Sequence, residues 1–248
     1  MTVKNIFEFL NCLYPESLAC SFDNVGLLVG DGETEVSKAL ISLDCTLDTV
    51  KKAVKNGCEL IITHHPVIFE PLKKLCSGSI QYELVKNGIS VISMHTNLDV
   101  ADGGVNDCLC NALGLQNVKS VTADDGYILK MGSISPVSAD KLAEHIKEKL
   151  GGCVKFVDGE KQIKNILVCS GSGGEFISEA VKNGADALIT ADVKHHLFLE
   201  AKDSGISLFD AGHFNTEDVV IEPLFEILSK EFSEITFITD HTTFIKYK

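Results

Sequence analysis

One eleven-residue stretch occurs twice in this chain, and any fold has to accommodate both copies. Residues 53–63 (AVKNGCELIIT) align without gaps on residues 180–190 (AVKNGADALIT), with seven of eleven positions identical at an offset of 127. In each copy an Asn-Gly pair closes an amphipathic run and a short β-branched run follows it. That is the pattern of a glycine-capped helix leading into a buried strand. The preceding apolar runs, 40–43 and 166–169, match as well, and Gly88-Ile89-Ser90 is answered by Gly205-Ile206-Ser207. Further helices are predicted over 48–56, 79–87, 106–113 and 138–150, with strands over 89–94 and 127–134. Strand alternating with helix is the rhythm of a parallel sheet. The sequence therefore predicts an α/β fold of two pseudo-symmetric lobes, produced by internal duplication and facing each other across one cleft. They are expected to span residues 1–121 and 122–248, with C-terminal residues completing the first sheet and no domain inserted between them.

Composition narrows the class. With 45% hydrophobic and 23% charged residues, the 248-residue chain is ordinary for a globular protein. Residues 1–13 carry Lys4 and Glu8 inside an amphipathic pattern of Ile6, Phe9, Leu10 and Leu13, which is not the uninterrupted core of a signal peptide. No run of 18 apolar residues occurs, so no membrane span is expected and the protein is expected to be cytoplasmic. The nine cysteines form no Cys-x2-Cys pair and mostly lie in apolar runs, which reads as small buried hydrophobes in a reducing compartment. A net charge of −13 disfavours nucleic acid as a partner and favours divalent cations.

The chemistry concentrates at strand ends. Ile61-Ile62-Thr63-His64-His65-Pro66 is an apolar strand ending in two imidazoles, with proline stopping regular structure. Strand tips are where open α/β sheets place their sites. Successive strand residues point to opposite sides, so His64 and His65 are expected to serve two neighbouring ions rather than one. Taken alone, the pair could equally be two surface loop histidines. Two further strands end in a histidine followed four residues later by a carboxylate: His95 with Asp99, and His213 with Glu217. Asp102, Asp192, His195 and His196 complete the candidates. Imidazole and carboxylate donors suit zinc, iron, manganese or cobalt better than calcium, and the absence of thiolates points to an open site. Gly171-Ser172-Gly173-Gly174 lacks the Lys-Ser/Thr ending of a Walker loop; it either seats an anion or makes a turn that needs small residues.

Several stretches together resemble the Nif-three-like family, whose bacterial members are commonly named type 2 GTP cyclohydrolase I homologues. They are Asp23-Asn24-Val25-Gly26-Leu27-Leu28-Val29-Gly30, Thr63-His64-His65-Pro66, His95-Thr96-Asn97-Leu98-Asp99 with Gly103-Gly104-Val105-Asn106-Asp107, Asp192-Val193-Lys194-His195-His196 and Gly212-His213-Phe214-Asn215-Thr216-Glu217. The resemblance implies two divalent metal ions per subunit in the cleft between the lobes, and a toroidal homohexamer. Its ligands fall on His64, His65, Asp99, His213 and Glu217, with Glu217 as the bridge. His95, His195 and His196 are then candidates for proton shuttling or for supporting the ligands, and Asp192 for orienting one of the paired histidines or capping their helix. The chain departs from the family's usual pattern in having Phe22 where tryptophan is common and Ala191 within Thr-x-Asp. It also reads Asp240-His241-Thr242-Thr243-Phe244 near its end, where Asp-Pro-Phe is common.

These features lead to the expectation of a metal-dependent hydrolase in which metal-activated water attacks a small-molecule substrate, possibly a nucleotide. The alternative from a different class is a non-catalytic metal-binding hexamer that acts as a scaffold or regulator.

Overall fold

The computed structural model describes residues 1–246, which divide into two compact units. The first is made of Met1–Asp102 and Ile221–Thr242, the second mainly of Gly103–Val220. The chain runs through α1 (Val3–Leu13), β1 (Gly26–Val29), β2 (Lys38–Ser42), α2 (Leu47–Asn56), β3 (Leu60–Thr63), α3 (Ile80–Lys86), β4 (Ser90–Ser93) and α4 (Thr96–Val100). The second unit follows with α5 (Val105–Ala112), β5 (Gln116–Thr122), β6 (Ile128–Val137), α6 (Ala139–Leu150), β7 (Lys155–Val157), β8 (Ile163–Ser172), α7 (Ile177–Lys182), β9 (Ala187–Ala191), α8 (His195–Asp203), β10 (Ser207–Asp210) and α9 (His213–Glu217). The chain then returns to the first unit with α10 (Ile221–Glu231) and β11 (Thr236–Asp240). No helix among the described residues is long and apolar enough to cross a membrane.

The first unit is built on a sheet of order β1-β4-β3-β2-β11, parallel except for β1. Its central strands are buried along their whole length, as a sheet covered on both faces requires. Leu40, Ile61 and Val91 stand in register across three strands and pack with Val50 and Ala53 of α2 and Leu84 of α3. Thr46 caps α2 through the Thr49 amide, and Gly57 ends it in the left-handed conformation at φ 70°.

The second unit holds a sheet of order β5-β6-β8-β9-β10-β7, with β8, β9 and β10 parallel. One face buries Leu167, Leu188 and Leu208 with Ile177, Ala180 and Ala201 from α7 and α8. The other buries Ile166, Val168 and Ile189 with Leu109, Leu113, Leu142 and Ile146 from α5 and α6.

The duplication reaches the hydrogen bonds. The Glu59 carboxylate accepts from the Ser37 and Lys38 amides, and the Asp186 carboxylate accepts from the Lys164 and Asn165 amides, each pair 127 positions apart. Burial raises the Glu59 pKa, but the Lys38 and Ser37 amides outweigh it and hold the group below the ordinary carboxylate range.

Two expectations need adjusting. The division between units falls after Asp102, earlier than residue 121, because α5 packs on β8 and β5 pairs with β6 in the second sheet. The likeness of His95 to His213 is also one residue out of step. The Met94 and Ala211 amides donate to the Thr63 and Thr190 carbonyls, both at 2.8 Å. That fixes this part of the repeat at an offset of 117 and makes His95 equivalent to Gly212. Of the nine cysteines five are buried, whereas Cys12, Cys76 and Cys153 are exposed and Cys20 lies between.

Candidate metal centre

In the first unit, β3 ends at Thr63, so His64 and His65 lie beyond the strand and its alternation rule no longer separates them. Their ring centroids are 5.0 Å apart, and His95 sits 5.3 and 5.7 Å from them. One ring nitrogen from each of the three histidines falls within 4.8 Å of the others.

Each of these rings is oriented through Nδ1. His64 Nδ1 faces the Met94 carbonyl at 2.9 Å, His65 Nδ1 faces Asp44 Oδ1 at 2.8 Å, and His95 Nδ1 faces Asp23 Oδ1 at 2.8 Å. A carbonyl can only accept, so His64 carries its proton on Nδ1 and, when neutral, offers a lone pair at Nε2. The two aspartates favour the same tautomer in His65 and His95. His64 is 1% exposed, and its Nε2 lies 3.5 Å from Asp99 Oδ1.

Asp23, which orients His95, is held well below the ordinary carboxylate range. Burial raises its pKa, but hydrogen bonds from His95 and from the Thr96 hydroxyl and amide prevail and bring it down to about 2. Its side chain is fully shielded. A carboxyl with a folded pKa near 2 and an ordinary value of 3.8 contributes about 2 kcal/mol of stability above pH 4. Because the folded value is the lower one, that contribution is lost as pH falls from 4 through 2. Asp23→Asn is therefore expected to destabilise the chain by about 1–2 kcal/mol at pH 7, with the difference closing toward pH 2. Urea unfolding at both pH values checks it, and a pH-independent difference would contradict it.

The second unit presents a counterpart. The β10 strand ends at Asp210, Gly212 turns the chain at φ 85°, and His213 opens α9. His213 Nδ1 faces Asp192 Oδ2 at 2.7 Å, and its Nε2 lies 3.0 Å from Glu217 Oε2, one helical turn on. Glu217 is 3% exposed. Asp192 follows β9 in the left-handed region at φ 52°, which Asp tolerates better than most residues. The expectation that Asp192 orients one of the paired histidines or caps their helix is not met: it orients His213, and α8 has no side-chain cap.

The Gly171–Gly174 stretch, which carries the end of β8, is close-packed. A methyl on Gly171 would overlap Glu217 Oε1, and one on Gly173 would overlap Cys169 Sγ. His195 and His196 are exposed on the first turn of α8, belong to none of the metal-compatible groups, and make no hydrogen bond or ion pair among the described residues. Asp102 is exposed at the end of the first unit.

Sequence reading passed over Asp23 and Asp44, which orient His95 and His65. Asp44 had a signal, because a carboxylate two residues past β2 stands beside the tip of its parallel neighbour β3.

The sequence matches Duf34/NIF3 (NGG1p interacting factor 3) over residues 1–246. A curated relative, "GTP cyclohydrolase 1 type 2 homolog" of Clostridium acetobutylicum, is 35% identical over 230 residues, spanning 88% of this chain and 85% of the relative. Among solved structures, Staphylococcus aureus hypothetical protein SA1388 superposes with a TM-score of 0.93 at 31% identity, covering 100% of this chain and 99% of that one. Reduced HcgD from Methanocaldococcus jannaschii gives 0.83 at 31% identity, covering 96% and 97%. The motifs, the two sheets and these matches agree that the chain belongs to the Duf34/NIF3 family.

Proposed function

We propose that the protein is a dinuclear metal-dependent hydrolase, in which His64, His65 and Asp99 of the first unit and His213 and Glu217 of the second hold two divalent cations. The observation that carries this reading is the orientation of the imidazoles. His64 and His213 each turn Nε2 toward a carboxylate oxygen, at 3.5 and 3.0 Å. With the rings neutral, each Nε2 and its carboxylate oxygen are two acceptors that a cation between them would satisfy, and two ligands at about 2.0–2.2 Å from one metal lie roughly 3–3.5 Å apart. The carboxylates partly neutralise a divalent charge, and a bridging role for Glu217 would leave the remainder for an anionic nucleophile.

Two bound cations would supply a water of lowered pKa and a countercharge for the oxyanion that develops on the substrate. The protein's own part is to hold the donors rigid. Met94, Asp44, Asp23 and Asp192 fix the ring tautomers, and supporting partners of this kind typically matter 10–100-fold in metal affinity or activity. His95, with Nδ1 held by Asp23, has Nε2 available to take or return a proton at the attacked centre. The relatives' name suggests a purine nucleotide as substrate. The expected homohexamer and the reducing cytoplasm belong to the same reading, the latter supported by nine free cysteines.

Metal analysis of the purified protein, followed by turnover of GTP and phosphoesters with each metal restored, tests it. His64→Ala is expected to lose most bound metal and all turnover while remaining folded. Turnover persisting in metal-free His64→Ala would refute the hydrolase. Metal bound without turnover of any substrate class would favour a scaffold.

A further inference from the structure

We propose that Phe22 and Phe69 form a wall on which the planar heteroaromatic ring of a ligand lies, beside the imidazoles of His65 and His95. The proposal rests on the hydrolase reading for what becomes of the ring, but not for its binding.

Both phenylalanines are held out in solvent, Phe22 67% and Phe69 47% exposed. Scattered exposed apolar residues are normal. These two are not scattered: their rings meet at 6.4 Å and 62°, and Phe69 meets the His95 ring at 6.3 Å and 88°. Edge contacts of this kind leave much of each ring uncovered.

The wall is also fixed in place. Asn24 Nδ2 donates to the Ile68 carbonyl at 2.6 Å, tying the segment after Phe22 to the residue before Phe69. The Cys20 amide donates to Thr96 Oγ1 at 2.9 Å, and Asp23 accepts from Thr96 and His95, so the turn carrying Phe22 is anchored on the start of α4. On the other side, Gln81 Nε2 donates to the Val67 carbonyl at 2.7 Å. Such bonds serve little purpose if the rings are idle surface. An apolar wall joined to a few converging polar groups is how small-molecule sites are built. Aromatic faces bind nucleobases by stacking, with little dependence on which base is offered. Leu72 and Leu75 on the same loop are exposed too, which would suit a second copy of the chain, but the ring contact of Phe69 with His95 would then not be needed.

The chain has no tryptophan, so Phe22→Trp installs a single emission reporter in the wall. Guanosine, adenosine and a pterin are expected to change that emission saturably, with and without added metal, whereas ribose 5-phosphate, which has no base, is not. Adding Phe69→Ala is expected to weaken the three planar compounds about tenfold or more. Calorimetry on Phe22→Ala and Phe69→Ala in the otherwise unaltered protein should show the same loss. The wall is overturned if no planar compound saturates the reporter, or if Phe69→Ala leaves their affinity within twofold. It is equally overturned if the only effect of the alanines is on self-association in sedimentation. Ring binding without turnover would sink the hydrolase and leave the wall standing; turnover with an unchanged KM in both alanine variants would do the reverse.

Discussion

Glu217→Gln is expected to lower divalent-metal affinity by more than about 100-fold, since residues that merely support ligands already matter 10–100-fold. The substitution changes charge and leaves size alone. Glu217 is 3% exposed and its Oε2 lies 3.0 Å from His213 Nε2. In the metal-free chain a glutamine side-chain amide can donate to that nitrogen, so the fold should tolerate the change or gain from it. In a metal-bound chain glutamine would offer a cation only one uncharged acceptor oxygen in place of two carboxylate oxygens and their charge. Stability and metal binding are thus expected to move in opposite directions, which separates a ligand from a structural residue. Metal titration by calorimetry and thermal unfolding without metal measure the two effects. Full stoichiometric binding in Glu217→Gln would remove Glu217 from the ligand set.

The repeat was readable because it is written in local signals. Asn56-Gly57 and Asn183-Gly184 end helices, and the runs after them become β3 and β9. The candidate histidines were readable because strand ends announce themselves by an apolar run followed by a break. What sequence concealed depends on pairing between distant segments. Asp23 reaches His95 across 72 positions, and nothing in Ser21-Phe22-Asp23-Asn24 distinguishes that carboxylate from one in an ordinary turn. The sequence leads one to expect C-terminal residues to complete the first sheet, but no nearby signal specifies the parallel pairing of 236–240 with 38–42. The mistaken equivalence of His95 with His213 has the same origin. Both motifs read His-x3-acid, and only the bonds from Met94 and Ala211 to the paired threonines reveal the one-residue step.

Gly171→Ala should damage the proposed metal centre without altering a single donor atom. Gly171 sits near the end of β8 at φ 57°, a left-handed conformation that costs an L-residue roughly 1–2 kcal/mol. Its amide donates to Thr216 Oγ1 at 3.1 Å, and its carbonyl accepts from Thr190 Oγ1 at 2.9 Å. The backbone is therefore held from both sides and cannot rotate away. A methyl group there would overlap Glu217 Oε1, so the carboxylate must move instead. Metal affinity is expected to fall about 10–100-fold, the range found when a ligand is merely mispositioned. Gly173→Ala supplies the comparison, because its methyl would strike Cys169 and Thr190 rather than the carboxylate. That variant is expected to lose stability through overpacking, by about 1–3 kcal/mol, and still bind metal once folded. Equal metal affinity in the two variants would mean that Glu217 is not seated by Gly171. Selective loss in Gly171→Ala would show why this position of β8 requires a residue without a side chain.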